Sequence, residues 1–260
     1  MHGFCPLTSG SKGNSIFLGT DKTRILIDAG GSFSSLQKRL EEIGVAIETI
    51  EAVLVTHEHG DHIQSLALLA ERCRIPIFAN AATAKGIATY FAKREALPRF
   101  KLFATGEPFS FADIEIHPFS VPHDTFDPVG FAIHAEGRKL GFCTDLGYVT
   151  SLVRRELQKC HYLYVEANHQ PSMVHSSNRP SVYKDRVLGR QGHLSNQECS
   201  ELVSSLYHPE LQHIHLAHLS GECNVPELAL RIVREGLLAL GHEVPLSIAH
   251  QDRVSEPVLF

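Results

Sequence analysis

No stretch of this 260-residue chain approaches the roughly 18 consecutive apolar residues of a membrane-spanning helix. The opening Met1-His2-Gly3-Phe4-Cys5-Pro6 also lacks the charged-then-apolar pattern of a secretory signal. A soluble protein is expected. Cysteine is sparse and unpatterned: the six residues Cys5, Cys73, Cys143, Cys160, Cys199 and Cys223 never fall at C-x-x-C spacing. That argues against a zinc finger or a disulfide framework and fits reduced thiols in the cytoplasm. Positive charge is lacking too, with a formal net charge of -5, so any polyanion has to be held locally rather than by bulk charge. The Gly/Ser loop over 8–15 does not have the G-x-x-x-x-G-K-[ST] spacing of a nucleotide P-loop.

What the chain does have is concentrated in one stretch. Val53-Leu54-Val55 reads as a short buried strand and runs into Thr56-His57-Glu58-His59-Gly60-Asp61-His62, where three histidines, a glutamate and an aspartate fill all but one of six positions. No hydrophobic core asks for that composition. In extended chain His57 and His59 leave from one face, because strand side chains alternate. Gly60 permits a turn, and residues 63–70 read as a helix that puts Asp61 and His62 at its first turn. One loop thus supplies two pairs of imidazole and carboxylate ligands, which suit borderline divalent cations such as zinc.

Elsewhere a simpler pattern repeats. With 43% hydrophobic residues the chain can bury a real core, and a single domain over 1–260 is expected. A strand over 24–28 closes on Asp28, which either orients the metal loop or serves the turn before a helix ending near 43. Strand-like runs then give out at His123, Asp145, Glu166 and His218. Ligands at the ends of several strands make a site on one edge of a sheet. The loop over 8–15 reads as a hairpin turn or as a loop that lends backbone N–H groups or Lys12 to a phosphate. Helices are expected over 81–93 and from an Asn224 cap to about 240, a closing strand over 246–250, and a loose tail from Pro257.

His57-x-His59-x-Asp61-His62, followed in order by His123, Asp145 and His218, resembles the five-motif signature of the metallo-β-lactamase superfamily over essentially the whole chain. The resemblance implies an α/β (α+β) fold, a four-layer αββα sandwich, with two divalent metal ions at one rim. It implies that His57, His59 and His123 hold one ion, that Asp61, His62 and His218 hold the other, and that Asp145 bridges them. Asp61 is placed to orient a hydroxide as well. Two close cations share such a hydroxide and clamp both the attacking and the leaving oxygen of a displacement.

Two further motifs narrow the chemistry. Val165-Glu166-Ala167-Asn168-His169 and Gly192-His193-Leu194-Ser195 are similar to paired motifs of ribonuclease Z-type members. The likeness implies that Glu166 positions His193 and that His193 protonates the departing sugar oxygen. Ser195 with Glu198 has capping-box spacing, so His193 lies just before a helix, and His169 stays outside the ligand set. These motifs, with Ser9-Gly10-Ser11-Lys12-Gly13-Asn14 and Ala217-His218-Leu219-Ser220, look most like the YycJ/WalJ subgroup, manganese- or zinc-dependent exonucleases that degrade DNA from 5′ ends. Leu194 inside the Gly-His-Ser motif and the lack of a long glycine-rich arm depart from ribonuclease Z and favour DNA over RNA.

Residues 171–192 read as one long irregular arm, in which Arg179, Lys184, Arg186 and Arg190 outnumber Asp185 by a net charge of +3. Such an excess in an acidic protein suits a nucleic-acid backbone. The expectation is therefore a dinuclear phosphodiesterase, an exonuclease in which hydroxide attacks phosphorus. Asp61, Glu166 and His193 are its catalytic residues, and Arg179, Lys184, Arg186, Arg190 and Lys12 bind the substrate. The competing hydrolase is a thioester or lactone hydrolase of glyoxalase II type, which predicts a small closed pocket and no basic arm. The competing nuclease is an RNA-processing enzyme of ribonuclease Z type. Imidazole and carboxylate serve manganese and zinc alike.

Overall fold

Strand-forming runs punctuated by Gly, Asn and Asp turns alternate with amphipathic helices along the chain. The computed structural model describes residues 1–93 and 98–260. They divide into two compact units, residues 1–118, 125–129 and 249–260 in one and residues 119–124 and 130–248 in the other.

The first unit opens with β1 (Gly3–Thr8), β2 (Ser15–Gly19) and β3 (Arg24–Ile27), followed by α1 (Phe33–Glu42) and β4 (Ala52–Leu54). It continues through α2 (Gly60–Ile63), α3 (Leu66–Arg72), β5 (Ile77–Asn80), α4 (Ala81–Tyr90), β6 (Phe100–Phe103) and β7 (Phe109–Phe111) into β8 (Ile114–Ser120). β1, β2 and β3 pair antiparallel, whereas β3, β4, β5 and β6 run parallel. Parallel strands are covered on both faces, which is why Ile25-Leu26-Ile27 and Ala52-Val53-Leu54 are apolar at every position and fully buried. α1 packs Leu36 and Leu40, four apart on one face, into the core around Leu26, Val53 and Ile77. Each such side chain contributes about 1.5–3 kcal/mol when fully buried.

Two local expectations change here. The helix expected over 63–70 starts earlier, at Gly60, and breaks between α2 and α3. The break has a cause: Ser65 donates its N–H to Ala29 O at 2.9 Å and its hydroxyl to Gly31 O at 2.7 Å. α4 ends at Tyr90, three residues short of the expected Lys93.

The second unit carries β9 (Val129–Ala135) after its first residue, β10 (Arg138–Cys143), α5 (Ser151–Leu157), β11 (Tyr162–Glu166), α6 (Pro171–Ser176) and α7 (Ser181–Leu188). α8 (Asn196–Leu206), β12 (His213–Ala217), α9 (Pro226–Ala239) and β13 (Leu246–Ile248) complete it. β9 and β10 form an antiparallel hairpin, and β10, β11, β12 and β13 are parallel. Leu163 and Leu216 of the sheet pack with Leu157 of α5, Leu202 of α8 and Val233 of α9.

Residues 171–192 are not an irregular arm, since α6 and α7 occupy most of them. Pro171 sits in the first turn of α6, where its missing N–H has no intrahelical partner to lose. Nor does Asn224 cap α9: Val225 is the cap residue, and the Asn224 side chain is bound to Ala167 O and Asn168 O at 2.9 and 3.0 Å. The C-terminal residues are not loose either. β14 (Val258–Leu259) returns to the first unit and pairs antiparallel with β1, Gly3 opposite Leu259. Gly3 has φ +126, and a Cβ there would lie 1.9 Å from Val258 O, so only glycine fits the pairing.

Candidate metal centre

In each unit the chemistry gathers at the carboxyl ends of parallel strands, where side chains from neighbouring strands are brought level. Three of the residues placed there, Asp28, Asp145 and His218, have φ of 60, 58 and 53. Non-glycine residues adopt that left-handed conformation uncommonly, and such strain concentrates at functional positions.

In the first unit Asp28, directly after β3, is the hub. Its Oδ1 accepts the Thr56 N–H and its Oδ2 accepts the Thr56 hydroxyl and His62 Nδ1, all at 2.8 Å. Of the two roles open to Asp28, it takes the orienting one. The Nδ1–H groups of His57 and His62 are committed, to Thr56 Oγ1 at 3.0 Å and to Asp28, which leaves Nε2 as the lone-pair nitrogen of each. His57 Nε2 and His59 Nδ1 converge to 3.2 Å, and the His57 and His62 rings lie 4.0 Å apart. Asn14, from the Gly/Ser loop, holds the other end of the motif. Its N–H donates to Asp61 O at 2.8 Å, and its amide nitrogen lies 3.0 Å from Asp61 Oδ2 and 2.9 Å from His62 Nε2.

In the second unit the hub is Glu166, the last residue of β11 and fully buried. Oε1 accepts His193 Nδ1 and His218 Nδ1, both at 2.8 Å, while Oε2 accepts the N–H of Leu146 at 3.0 Å and of Leu194 at 3.1 Å. Four donors match the acceptor capacity of an ionised carboxylate. Burial alone would raise its pKa, but the charge and hydrogen bond of His193, then those of His218, outweigh it and hold Glu166 well below the usual carboxylate range. One ligand atom from each of Asp145, Glu166, His193 and His218 lies within 4.8 Å of the others. His123 donates Nδ1–H to Gly192 O at 3.1 Å, which turns Nε2 toward Asp145 Oδ1 at 3.8 Å. Burial lowers the His123 pKa despite Asp145, so the ring stays neutral, the form that binds metal.

Supporting residues that spacing does not reveal surround both hubs. Asn168 donates to His218 O at 2.7 Å, and a buried pair, Asn196 and Asn224, ties the segment after Glu166 to the start of α8. Ser195 caps α8 with the expected capping box. His169 is buried and bridges to Ser195 through its backbone. The basic side chains of 171–192 are engaged within the chain. Arg179 pairs with Glu222, Arg186 with Asp124 at 2.6 and 3.1 Å, Lys184 donates to His175 O at 2.7 Å, and Arg190 lies 4.4 Å over the Tyr148 ring. Lys12 is exposed in its loop.

Imidazoles presenting defined nitrogens beside buried carboxylates fit divalent metal ions. With this architecture of two mixed sheets flanked by helices, they define a metal-dependent hydrolase of the metallo-β-lactamase fold. The chain belongs to the β-lactamase superfamily, whose domain model, "Beta-lactamase superfamily domain", matches residues 23–216, and within it to the YycJ/WalJ group. It is 34% identical to Exodeoxyribonuclease YycJ of Bacillus anthracis over 241 residues, 93% of this chain and 91% of that protein. It is 33% identical to Exodeoxyribonuclease WalJ of Streptococcus pneumoniae over 225 residues, 86% of this chain and 83% of that one. The metallo-β-lactamase fold protein YhfI from Bacillus subtilis shares the fold with TM-score 0.73 at 15% identity, covering 96% of this chain and 97% of its own. Zn(2+)-bound PqqB from Methylobacterium extorquens does so with TM-score 0.68 at 14% identity, covering 98% and 100%.

Proposed function

We propose that this hydrolase is a dinuclear nuclease that removes nucleotides from DNA ends, 5′ ends in particular, with manganese or zinc as its ions. The observation that carries the reading is the Glu166–His193 pair, joined at 2.8 Å and grouped with Asp145 and His218, in a chain whose relatives are exodeoxyribonucleases. By the family's ligand pattern His57, His59 and His123 hold one ion, Asp61, His62 and His218 the other, and Asp145 both. When bound, the ions supply Lewis-acid stabilisation of phosphoryl oxygens and acidify a water for attack at phosphorus.

The remaining steps fall to the chain. Asp28 and Glu166 fix the tautomers of His62 and His218, and Asp61 orients the attacking water. Glu166 accepts the Nδ1–H of His193, which leaves Nε2 as the nitrogen that delivers a proton to the departing sugar oxygen. Arg179, Lys184, Arg186, Arg190 and Lys12 contact backbone phosphates. The pairs Arg179–Glu222 and Arg186–Asp124 are partly exposed and so are exchanged for phosphate at little cost. No helix among the described residues is long and apolar enough to cross a membrane, and all six thiols are free, which supports a cytoplasmic location.

The test is cleavage of end-labelled double-stranded DNA, single-stranded DNA and a structured RNA by chelator-treated protein resupplied with manganese or zinc. Stepwise loss from a DNA end is expected. His193→Ala is expected to lower kcat by about 10²–10⁴-fold. Hydrolysis of a thioester with no cleavage of any nucleic acid would overturn the nuclease reading.

A further inference from the structure

The residue between the first two histidines of the motif is clamped in a way that metal binding does not explain. α4 turns Gly86 and Tyr90, four positions apart and so on one face, toward the metal loop. A Cβ on Gly86 would lie 2.5 Å from Glu58 Cγ, and one on Gly60 would lie 3.1 Å from the Tyr90 hydroxyl. Glu58 thus lies across the helix where no side chain stands, and its Oε1 accepts the Phe126 N–H at 3.0 Å. On the other side of His57, Thr56 O accepts the Val129 N–H at 3.0 Å. Between these two points Asp127 O accepts from Asn80 Nδ2 at 2.7 Å, and Asp127 Oδ2 accepts from Thr105 Oγ1 at 2.9 Å.

Residues 126–129 are therefore held by the neighbours of His57 on both sides, yet the Phe126 ring is 70% exposed and Tyr90 54%. Among the described phenylalanines Phe126 alone is exposed. A fixed backbone that carries an exposed ring is preorganised for a flat partner, because little ordering remains to be done on binding. Glu58 and Asp127 beside it repel phosphate, so the π face is the attractive surface there. A nucleobase is the occupant that fits, since stacking accepts any base.

Resting on the nuclease reading above, we propose that Phe126, with Tyr90 beside Gly60 of the metal loop, is a stacking platform for the base of the nucleotide being removed. Its test compares wild type, Phe126→Ala and Phe126→Trp on DNA with an ordinary, an abasic or a 2-aminopurine terminal nucleotide. Phe126→Ala is expected to raise KM about tenfold on the ordinary end with kcat nearly unchanged, and Phe126→Trp to keep the wild-type value. On the abasic end wild type and Phe126→Ala should coincide. Quenching of terminal 2-aminopurine in metal-free protein, lost in Phe126→Ala, reads the same contact without turnover. Because the side chain is exposed, the melting temperature should not move. Equal KM for wild type and Phe126→Ala on the ordinary end would overturn the platform while leaving the nuclease reading intact. A wild type that cuts no nucleic acid would overturn both.

Discussion

The two units solve one problem, aiming imidazoles, with two unlike carboxylates. Asp28 serves a compact site: it binds Thr56 and His62, whose motif lies within seven consecutive residues. Glu166 serves a dispersed one, drawing in Leu146, His193, Leu194 and His218 from segments up to 52 positions away. The difference is functional as well as topological. Asp28 orients one proposed metal ligand, His62, whereas Glu166 orients a proposed ligand, His218, and, in the proposed mechanism, the proton donor. A carboxylate with two dependants should show two defects on removal.

Glu166→Gln is therefore the largest expected effect. It should lower kcat by about 10²–10⁴-fold even at saturating metal and should also weaken metal retention. Asp28→Asn should lower metal affinity by about 10–100-fold while kcat recovers once metal is in excess. Activity and bound metal, measured together across a metal titration, separate the two. Full recovery of the Glu166 variant with added metal would reduce it to an orienting acid like Asp28, and the contrast would collapse.

That contrast also explains what the sequence made legible. The first unit's proposed ligands lie next to one another in the chain, so spacing alone singles out His57, His59, Asp61 and His62. In the second unit the proposed ligands His123, Asp145 and His218, and Glu166 that orients His218, stand out only because each lies at the end of a strand, and register brings Cys143, Val165 and Leu216 level across β10, β11 and β12. The supporting roles of Asn14, Thr56 and Asn224 are not legible in the sequence, because hydrogen bonds made to distant segments leave no periodic trace. Residues 171–192 are largely helical although their sequence reads as irregular. Two prolines and a run of polar residues resemble a loop, but Val174 and Val187 find a buried cluster with Cys223 that makes short helices worthwhile.

Alkali should sharpen the comparison at a smaller scale. Burial pushes the Cys5 thiol of the first unit up to about 12 from the usual 9.0. In the second unit burial pushes Cys160 to about 12, with Lys139 opposing, and raises Cys143 and Cys199 further, the charge of Glu166 adding to both. These thiols stay protonated in the fold and ionise in the unfolded chain. Their contribution is complete below about pH 9 and is lost as pH rises toward 12, by about 1.4 kcal/mol per pH unit for each thiol. Urea unfolding between pH 8 and 11 should give a slope that Cys5→Ser reduces by about one proton and a Cys160→Ser, Cys199→Ser pair by about two. An unchanged slope in either variant would show that the thiol already ionises in the fold.

The smallest effect compares two helix caps. Ser32 accepts the Ser35 N–H at the start of α1, and Ser195 forms a full capping box at the start of α8. Removing either by Ala should cost about 0.5–2 kcal/mol of stability, read as a shift in urea midpoint. Activity should divide them. α1 carries no proposed ligand, and the segment before it, Ala29 and Gly30, keeps its own backbone bonds to His62 O and Asn14 O at 2.8 Å. Ser195 belongs to the same short segment as His193 and Leu194, and fraying there loosens the Leu194 N–H bond to Glu166 together with the ring that must deliver a proton. Ser195→Ala should therefore lower kcat several-fold and Ser32→Ala should not. Equal losses of activity would mean that the caps act through global stability, and that His193 is held by Glu166 rather than by the helix behind it.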